Sequence, residues 1–188
     1  MNIPVGISAR HLHLTKEDFC KIFDSENLTK YKDINQPGLY AANETVTIKG
    51  PKGMIESVRI LGPFRSYSQV EISKTDSYNL GVNPPIRKSG HLQDAQTISV
   101  IGPKGSVEVP VIIANRHVHI SLDEANSLGI KDDDILSVKI NSEKPGVILA
   151  YFKVSEQAYK ELHLDLDDAN AFMLKQNDIV EISFNKNK

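Results

Sequence analysis

Apolar and polar positions alternate over many short segments of this chain, and this pattern predicts strands rather than long helices. Short helical segments are predicted over residues 15–23, 121–128 and 167–174. Predicted strands cover residues 45–49, 55–61, 97–101, 106–113, 135–140, 147–154 and 179–184. Many short strands joined by tight turns and small capping helices indicate a mainly β protein with two β-barrel lobes.

Two identical Gly-Pro-Lys-Gly turns, at residues 50–53 and 102–105, each follow an alternating strand. A glycine-rich turn can bind phosphate, but neither copy opens a predicted helix or has the spacing of a phosphate-binding loop. We therefore expect both to be β-hairpin connections.

The motif Arg-His-x-His occurs twice, at residues 10–13 and 116–119, and contains four of the six histidines. Its flanks, residues 7–14 and 112–120, are rich in apolar and β-branched residues and are predicted as strands. Residues two apart on a strand share a face, so each histidine pair can bind one metal ion, and zinc suits imidazole. A packed or hydrogen-bonded polar pair is the alternative, and the duplication favours the metal.

A longer pattern supplies a third ligand to each pair. In four places a candidate ligand is followed two residues later by a helix-capping residue and five residues later by an acid. The four series are His13-Thr15-Asp18, Glu71-Ser73-Asp76, His119-Ser121-Glu124 and His163-Asp165-Asp168. The sequence thus predicts one zinc ion held by His11, His13 and Glu71, and another held by His117, His119 and His163. The alternatives are a solvated Glu71 and a surface His163.

Composition and charge limit the range of partners. The chain has 188 residues, a hydrophobic content of 40% and a formal net charge of −2. Its charges are interspersed, so nothing favours binding to nucleic acid or to a membrane surface. The single Cys20 cannot form an internal disulfide, and the N-terminus carries no secretion signal. We expect a cytoplasmic protein that acts on small molecules.

Arg65 is a candidate anion ligand, because a guanidinium group can bind phosphate or carboxylate through two hydrogen bonds. The alternative is a surface ion pair with Glu71 or another acid, and this segment alone favours that alternative.

Several motifs together closely resemble the PduL-type phosphotransacylases, which are phosphate propanoyltransferases and related acetyl-transferring enzymes. They are Ile-Ser-Ala-Arg-His-Leu-His-Leu at 7–14, Gln-Pro-Gly at 36–38, Gly-Pro-x-Arg at 62–65, Gln-Val-Glu-Ile-Ser at 69–73, the Gly-Pro-Lys-Gly turns and Ala-Asn-Arg-His-Val-His-Ile at 114–120. The resemblance covers nearly the whole chain.

This resemblance implies an enzyme that interconverts acyl-CoA and phosphate with acyl phosphate and coenzyme A, and that uses two zinc ions. It implies a first barrel over residues 10–114, and a second over 115–188 that residues 1–9 complete. Arg65 becomes the phosphate ligand, and Gln36, Gln69 and Ser89 match polar positions of the active-site region.

Two residues depart from the family pattern. Lys153 stands where the family usually has arginine, and Leu39 stands where a polar residue is common. Lysine keeps the charge but loses the two-pronged contact. Both positions concern phosphate affinity or acyl preference, and Lys153 stays a candidate substrate-binding residue.

Two other functions fit the same residues. A dinuclear zinc hydrolase would cleave the thioester without phosphate. A binding module would use the metals only to hold its fold together. The residues do not reveal whether the acyl group is acetyl or propanoyl, or whether the chain forms a homo-oligomer.

Overall fold

The computed structural model describes residues 1–184, and within them strands predominate over four short helices. The mainly β fold with two closed barrels is therefore confirmed. The elements are β1 (Asn2–Ser8), β2 (His11–His13), α1 (Lys16–Ile22), β3 (Lys30–Asp33), β4 (Tyr40–Lys49), β5 (Met54–Gly62), β6 (Gln69–Glu71), α2 (Lys74–Leu80), β7 (Ile86–Arg87), β8 (Thr97–Ile101), β9 (Ser106–Ala114), β10 (His117–Ser121), α3 (Leu122–Leu128), β11 (Ile135–Ile140), β12 (Gly146–Ser155), β13 (Leu162–Asp165), α4 (Leu166–Ala171) and β14 (Ile179–Ser183).

The chain divides into two compact units, one of residues Ala9–Ala114 and one of Met1–Ser8 with the chain from Asn115 onward. We call them the first and the second barrel. Residues 185–188 of the second predicted domain lie outside the described range.

In the first barrel, six strands close in the order β2-β5-β4-β8-β9-β6. Strand β3 adds to β4 and strand β7 adds to β9. Both Gly-Pro-Lys-Gly turns connect antiparallel neighbours, since Lys49 pairs with Met54 and Ile101 pairs with Ser106. The predicted hairpins are confirmed.

In the second barrel, the closed order is β10-β12-β11-β14-β1-β13. Each neighbouring pair has the same direction, parallel or antiparallel, as the corresponding pair of the first barrel. Strand β1 therefore takes the position that β9 holds in the first barrel. Each of these two strands leads directly into an Arg-His-x-His motif.

Each barrel encloses its own apolar core. Leu12 lies between the two histidines of the first motif and is fully buried, as is Val118 in the second motif. The strand period puts these residues into the core and turns the histidines to the opposite face. Burying such a side chain contributes about 1.5–3 kcal/mol to the stability of each motif strand.

Each of the four helices begins at the predicted capping residue. The side chains of Thr15, Ser73, Ser121 and Asp165 each accept a hydrogen bond from the backbone N–H three residues later. Ser73 and Asp76 also form a reciprocal capping box. The four predicted transitions from strand to helix are confirmed.

Three boundaries differ from the sequence prediction. The predicted continuous strands 7–14 and 112–120 are each interrupted, at 9–10 and at 115–116, where the chain passes from one unit to the other. Strand β7, which pairs with β9, is not among the predicted strands. Helix α4 ends at Ala171, earlier than predicted, because Met173 has a φ of +54°.

Within the described residues, none of the helices has the length and apolar character needed to cross a membrane.

Candidate metal centres and an arginine network

The first barrel brings together His11, His13 and Glu71, whose candidate ligand atoms all lie within 4.8 Å of one another. Strand β2 pairs with the antiparallel β6, so that His11 lies opposite Glu71. The Nε2 atom of His11 is 3.5 Å from Glu71 Oε2, and that of His13 is 4.0 Å from Glu71 Oε1. All three side chains are nearly buried.

Backbone carbonyls fix the orientation of these two rings. The Nδ1 atom of His11 is 2.9 Å from the carbonyl oxygen of Ala9, and that of His13 is 3.3 Å from the carbonyl oxygen of Leu61. A ring that donates from Nδ1 keeps the lone pair of Nε2 for a metal ion. Both Nε2 atoms face Glu71, so this cluster offers three ligand atoms to one point.

The second barrel brings together His117, His119 and His163, again with ligand atoms within 4.8 Å of one another. His117 lies opposite His163 in the antiparallel pair of β10 and β13. The Nε2 atoms of His117 and His119 are 3.2 Å apart, and Nδ1 of His117 is 2.8 Å from the carbonyl oxygen of Asn115. The two clusters thus share one backbone arrangement.

The sequence reasoning missed a fourth polar group at the second cluster. Glu161 is buried, and its Oε1 atom lies 2.7 Å from Nε2 of His163. The spacing Glu161-x-His163 repeats the spacing of His-x-His, and this was the signal that could have revealed it. Gly6 of β1 makes room for both groups, because a Cβ atom there would lie 2.9 Å from the His163 ring and 3.0 Å from the Glu161 carboxyl group.

The donor atoms suit zinc. Tetrahedral zinc binds nitrogen and oxygen at about 2.1 Å, which places neighbouring ligand atoms about 3.4 Å apart. The three separations of 3.2, 3.5 and 4.0 Å are close to that value. Two histidines with a carboxylate, or three histidines, each leave a coordination position for water or substrate.

The arginine of each Arg-His-x-His motif joins the motif to the strand and helix that carry the third ligand. Nε of Arg10 donates to both carboxylate oxygens of Asp76 at 3.0 Å, and Nη2 lies 2.8 Å from Oδ1. Arg116 contacts Asp168 through Nε at 2.8 Å and through Nη2 at 2.6 Å. Each acid lies in the first turn of the helix that follows the third ligand. These contacts therefore fix the third ligand against the histidine pair.

Two pKa values are shifted at and beside the ion pair of Arg116 and Asp168. The hydrogen bonds that Arg116 donates to Asp168 raise the pKa of Arg116 above its usual value, so this guanidinium group stays charged. Burial raises the pKa of the Asp165 carboxyl group, which caps α4.

Arg65 lies in a hydrogen-bond network that reaches the cluster of His11, His13 and Glu71. Its Nη1 atom donates to the hydroxyl oxygens of Tyr67 at 3.0 Å and Ser89 at 3.1 Å. The amide nitrogen of Gln69 donates to Ser89 at 2.9 Å and to Glu71 Oε1 at 2.6 Å. Within the described residues, the hydrogen-bond acceptors of the Arg65 guanidinium group are neutral hydroxyls. The alternative interpretation, an ion pair with Glu71, is not what the structure shows.

The structure places the remaining predicted residues as follows. Gln36 is buried in the turn before β4, where its backbone carbonyl accepts from the amide of Leu39. Lys153 is on β12 in register with His119 and therefore belongs to the second barrel. Arg65, Gln69 and Ser89 are joined in one network. The roles of all five residues in binding substrate remain predictions.

Comparison with known proteins decides the family. The profile of the phosphate propanoyltransferase family matches residues 4–175. The chain belongs to the phosphate propanoyltransferase family. The sequence-based resemblance is confirmed, and the chain is an acyltransferase.

Individual members of the phosphate propanoyltransferase family are similar over most of their length. The phosphate propanoyltransferase of Thermotoga maritima is 52% identical over 143 residues, which cover 74% of this chain and 68% of that protein. That of Lachnoclostridium phytofermentans is 51% identical over 149 residues, covering 77% and 70%. That of Salmonella typhimurium is 44% identical over 148 residues, covering 78% and 70%.

Proposed function

We propose that this chain is a zinc-dependent phosphate acyltransferase. It interconverts a short-chain acyl-CoA, propanoyl-CoA or acetyl-CoA, and phosphate with an acyl phosphate and coenzyme A. The names of its relatives support the reaction. The observation that carries the proposal is the network that joins Arg65, whose guanidinium group meets neutral hydroxyls, to the cluster of His11, His13 and Glu71.

In this reaction an oxygen of phosphate attacks the thioester carbonyl carbon. A C–O bond forms, the C–S bond breaks, and coenzyme A leaves as the thiolate. No protein nucleophile is required. Holding phosphate in the correct orientation can supply several kcal/mol, because it turns a bimolecular step into an effectively intramolecular one.

Arg65 is the residue suited to hold the phosphate. Nη1 is fixed by the hydroxyl groups of Tyr67 and Ser89, which orients the plane of the guanidinium group. A guanidinium group oriented in advance can form a bidentate contact with a phosphate dianion at little entropic cost. Gln69 holds Ser89 and Glu71 in the same network, so it couples the position of Arg65 to that of the metal ligand.

His11, His13 and Glu71 would hold one zinc ion, and His117, His119 and His163 the other. Bound zinc supplies Lewis-acid stabilisation of negative charge and has an affinity for soft thiolate ligands such as coenzyme A. Backbone carbonyls hold the rings of His11 and His117 in place through Nδ1.

One assay tests the proposal. Release of free coenzyme A thiol is measured from propanoyl-CoA and from acetyl-CoA, with and without phosphate, before and after zinc is removed by a chelator. We expect thiol release that requires both phosphate and zinc. Thiol release without phosphate would indicate a hydrolase instead, and activity that survives complete removal of zinc would refute the zinc dependence.

The variant Arg65→Ala tests the phosphate site. We expect a sharply raised KM for phosphate with unchanged zinc content, because the variant removes the bidentate group and leaves every metal ligand. Arg65→Lys is the matched control, since it keeps the charge but loses the bidentate group. Its KM for phosphate should lie between those of the unmodified chain and Arg65→Ala. Unchanged phosphate kinetics in Arg65→Ala would remove Arg65 from the reaction.

A further inference from the structure

Each barrel carries a buried polar residue two positions before its third metal ligand. In the first barrel Gln69 precedes Glu71, and in the second Glu161 precedes His163. Gln69 is 0% exposed and Glu161 is 3% exposed. Because side chains two apart on an extended chain share a face, both residues point to the same side as the ligand that follows.

The register of the strands makes these two residues equivalent. His11 lies opposite Glu71 and His13 lies opposite Gln69. In the second barrel His117 lies opposite His163, and the backbone N–H of His119 donates to the carbonyl of Glu161 at 3.0 Å. In both barrels the second histidine of the motif therefore lies opposite the buried polar residue.

Gln69 and Glu161 each form a hydrogen bond with the ligand that follows, but the donor and the acceptor are exchanged between the two barrels. The amide of Gln69 donates to the carboxylate of Glu71 at 2.6 Å. In the second barrel the carboxylate of Glu161 accepts from the imidazole of His163 at 2.7 Å. Where the ligand is an acid its partner is an amide, and where the ligand is an imidazole its partner is an acid.

We propose that Glu161 is a positioning residue for the second metal centre, and that it restores there the negative charge that Glu71 provides at the first. Each barrel then has a set of four residues, the three ligands and the polar residue two positions before the third ligand. Each set contains one carboxylate and at least two imidazoles. The carboxylate is a ligand in the first set and the neighbour of a ligand in the second. The proposal rests on the zinc sites of the proposed function.

This arrangement has an electrostatic reason. A dication in a nearly buried site needs a nearby negative charge, since burial removes much of the solvation that water would supply. Three neutral histidines carry no negative charge. A carboxylate in contact with one of the rings provides it and also restricts rotation of that ring. The two centres therefore differ in ligand type but share the same formal charge.

The test measures zinc affinity by competition with a chromophoric chelator. All variants carry His11→Ala, which removes a ligand from the first cluster. The cluster of His117, His119 and His163 keeps all its ligands, so the measured zinc affinity is that of the second cluster. We expect Glu161→Gln to weaken zinc binding about 10- to 100-fold, the range found when a partner of a metal-bound histidine is removed. Glutamine has nearly the same shape, so the far-UV circular dichroism spectrum should not change. The exposed Glu181 provides a control, since Glu181→Gln removes the same charge elsewhere in the barrel.

A transplant of the pair from the first barrel is the sharper test. The double change Glu161→Gln with His163→Glu creates in the second barrel the Gln-x-Glu pair of the first. We expect it to recover at least about tenfold in zinc affinity over Glu161→Gln alone, because the amide again faces a carboxylate and the charge returns. Glu161→Gln binding zinc as tightly as its parent, or a double variant weaker than the single one, would overturn the proposal.

These outcomes are separate from those of the proposed function. An unmodified chain that binds two zinc ions but shows no phosphate-dependent thiol release would refute the reaction and leave the role of Glu161 intact. Phosphate-dependent thiol release by the unmodified chain, together with an unchanged zinc affinity on Glu161→Gln, would refute the role of Glu161 and leave the reaction intact. An unmodified chain that binds no zinc would overturn both.

Discussion

Removal of the Asp76 carboxylate should destabilise the first barrel more than removal of the corresponding Asp168 carboxylate destabilises the second. The Asp76 side chain is 3% exposed and accepts three contacts from Arg10, and its Oδ2 atom also accepts from the backbone N–H of Ser73. Breaking a buried ion pair costs about 3–5 kcal/mol. The Arg10 side chain is 37% exposed and can turn to water, so we expect Asp76→Ala to cost about 3 kcal/mol.

The second pair is closer to solvent, since Asp168 is 21% exposed and Arg116 is 40% exposed. Screening by water reduces the value of such a pair, and we expect Asp168→Ala to cost about 1 kcal/mol. The expected difference between the two variants is therefore about 2 kcal/mol. It arises from the deeper burial of Asp76 and from the further hydrogen bond that Asp76 accepts from the backbone N–H of Ser73.

Urea denaturation followed by far-UV circular dichroism measures both costs, with each barrel allowed its own transition. The exposed ion pair of Lys16 and Glu26 supplies the control, and Glu26→Ala should change the free energy of unfolding by less than about 0.5 kcal/mol. A double-mutant cycle of Arg10→Ala with Asp76→Ala should give a coupling energy of about 1–3 kcal/mol. A loss for Asp76→Ala no larger than the control, or a coupling energy near zero, would refute the reasoning.

Four further outcomes are expected. Leu12→Ala should cost about 3 kcal/mol in urea denaturation, because the side chain is fully buried, and a loss under about 1 kcal/mol would contradict that packing. Ser73→Ala should cost about 1 kcal/mol through loss of the helix cap, and an unchanged midpoint would argue against the cap. Gly6→Ala should weaken zinc binding in chelator competition, since its Cβ would press on the His163 ring, and full affinity would show that the ring has room to move. His119→Ala should lose one equivalent of zinc by elemental analysis and lose thiol release while staying folded, whereas an unfolded variant would indicate a purely structural metal.

Much of the fold could be predicted from the sequence because its signals are local. Alternating apolar positions identified the strands, and Thr15, Ser73, Ser121 and Asp165 marked the starts of the helices. The period of two also predicted which residues share a face, so the grouping of His11 with His13 needed no tertiary information. The position of β7 was missed because a two-residue strand has no measurable period.

The sequence by itself determined which residues form the candidate metal clusters, because the same motif and the same spacing occur in both halves of the chain. Glu71 and His163 could be matched by counting from their helix caps. Their convergence with the histidine pairs depends on antiparallel pairing between β2 and β6 and between β10 and β13. Such pairing joins residues far apart along the chain and leaves no local signal.

Only the tertiary structure decided the partners of these ligands. It showed that Arg10 and Arg116 bind acids on the helices after the third ligands, and that Arg65 meets hydroxyl groups rather than Glu71. It also brought Glu161 to His163, in the space left by Gly6. The identity of a charged residue predicts that it needs a partner, since an unpaired buried charge is costly. Which partner it finds depends on strand register and packing, and these are properties of the folded barrel.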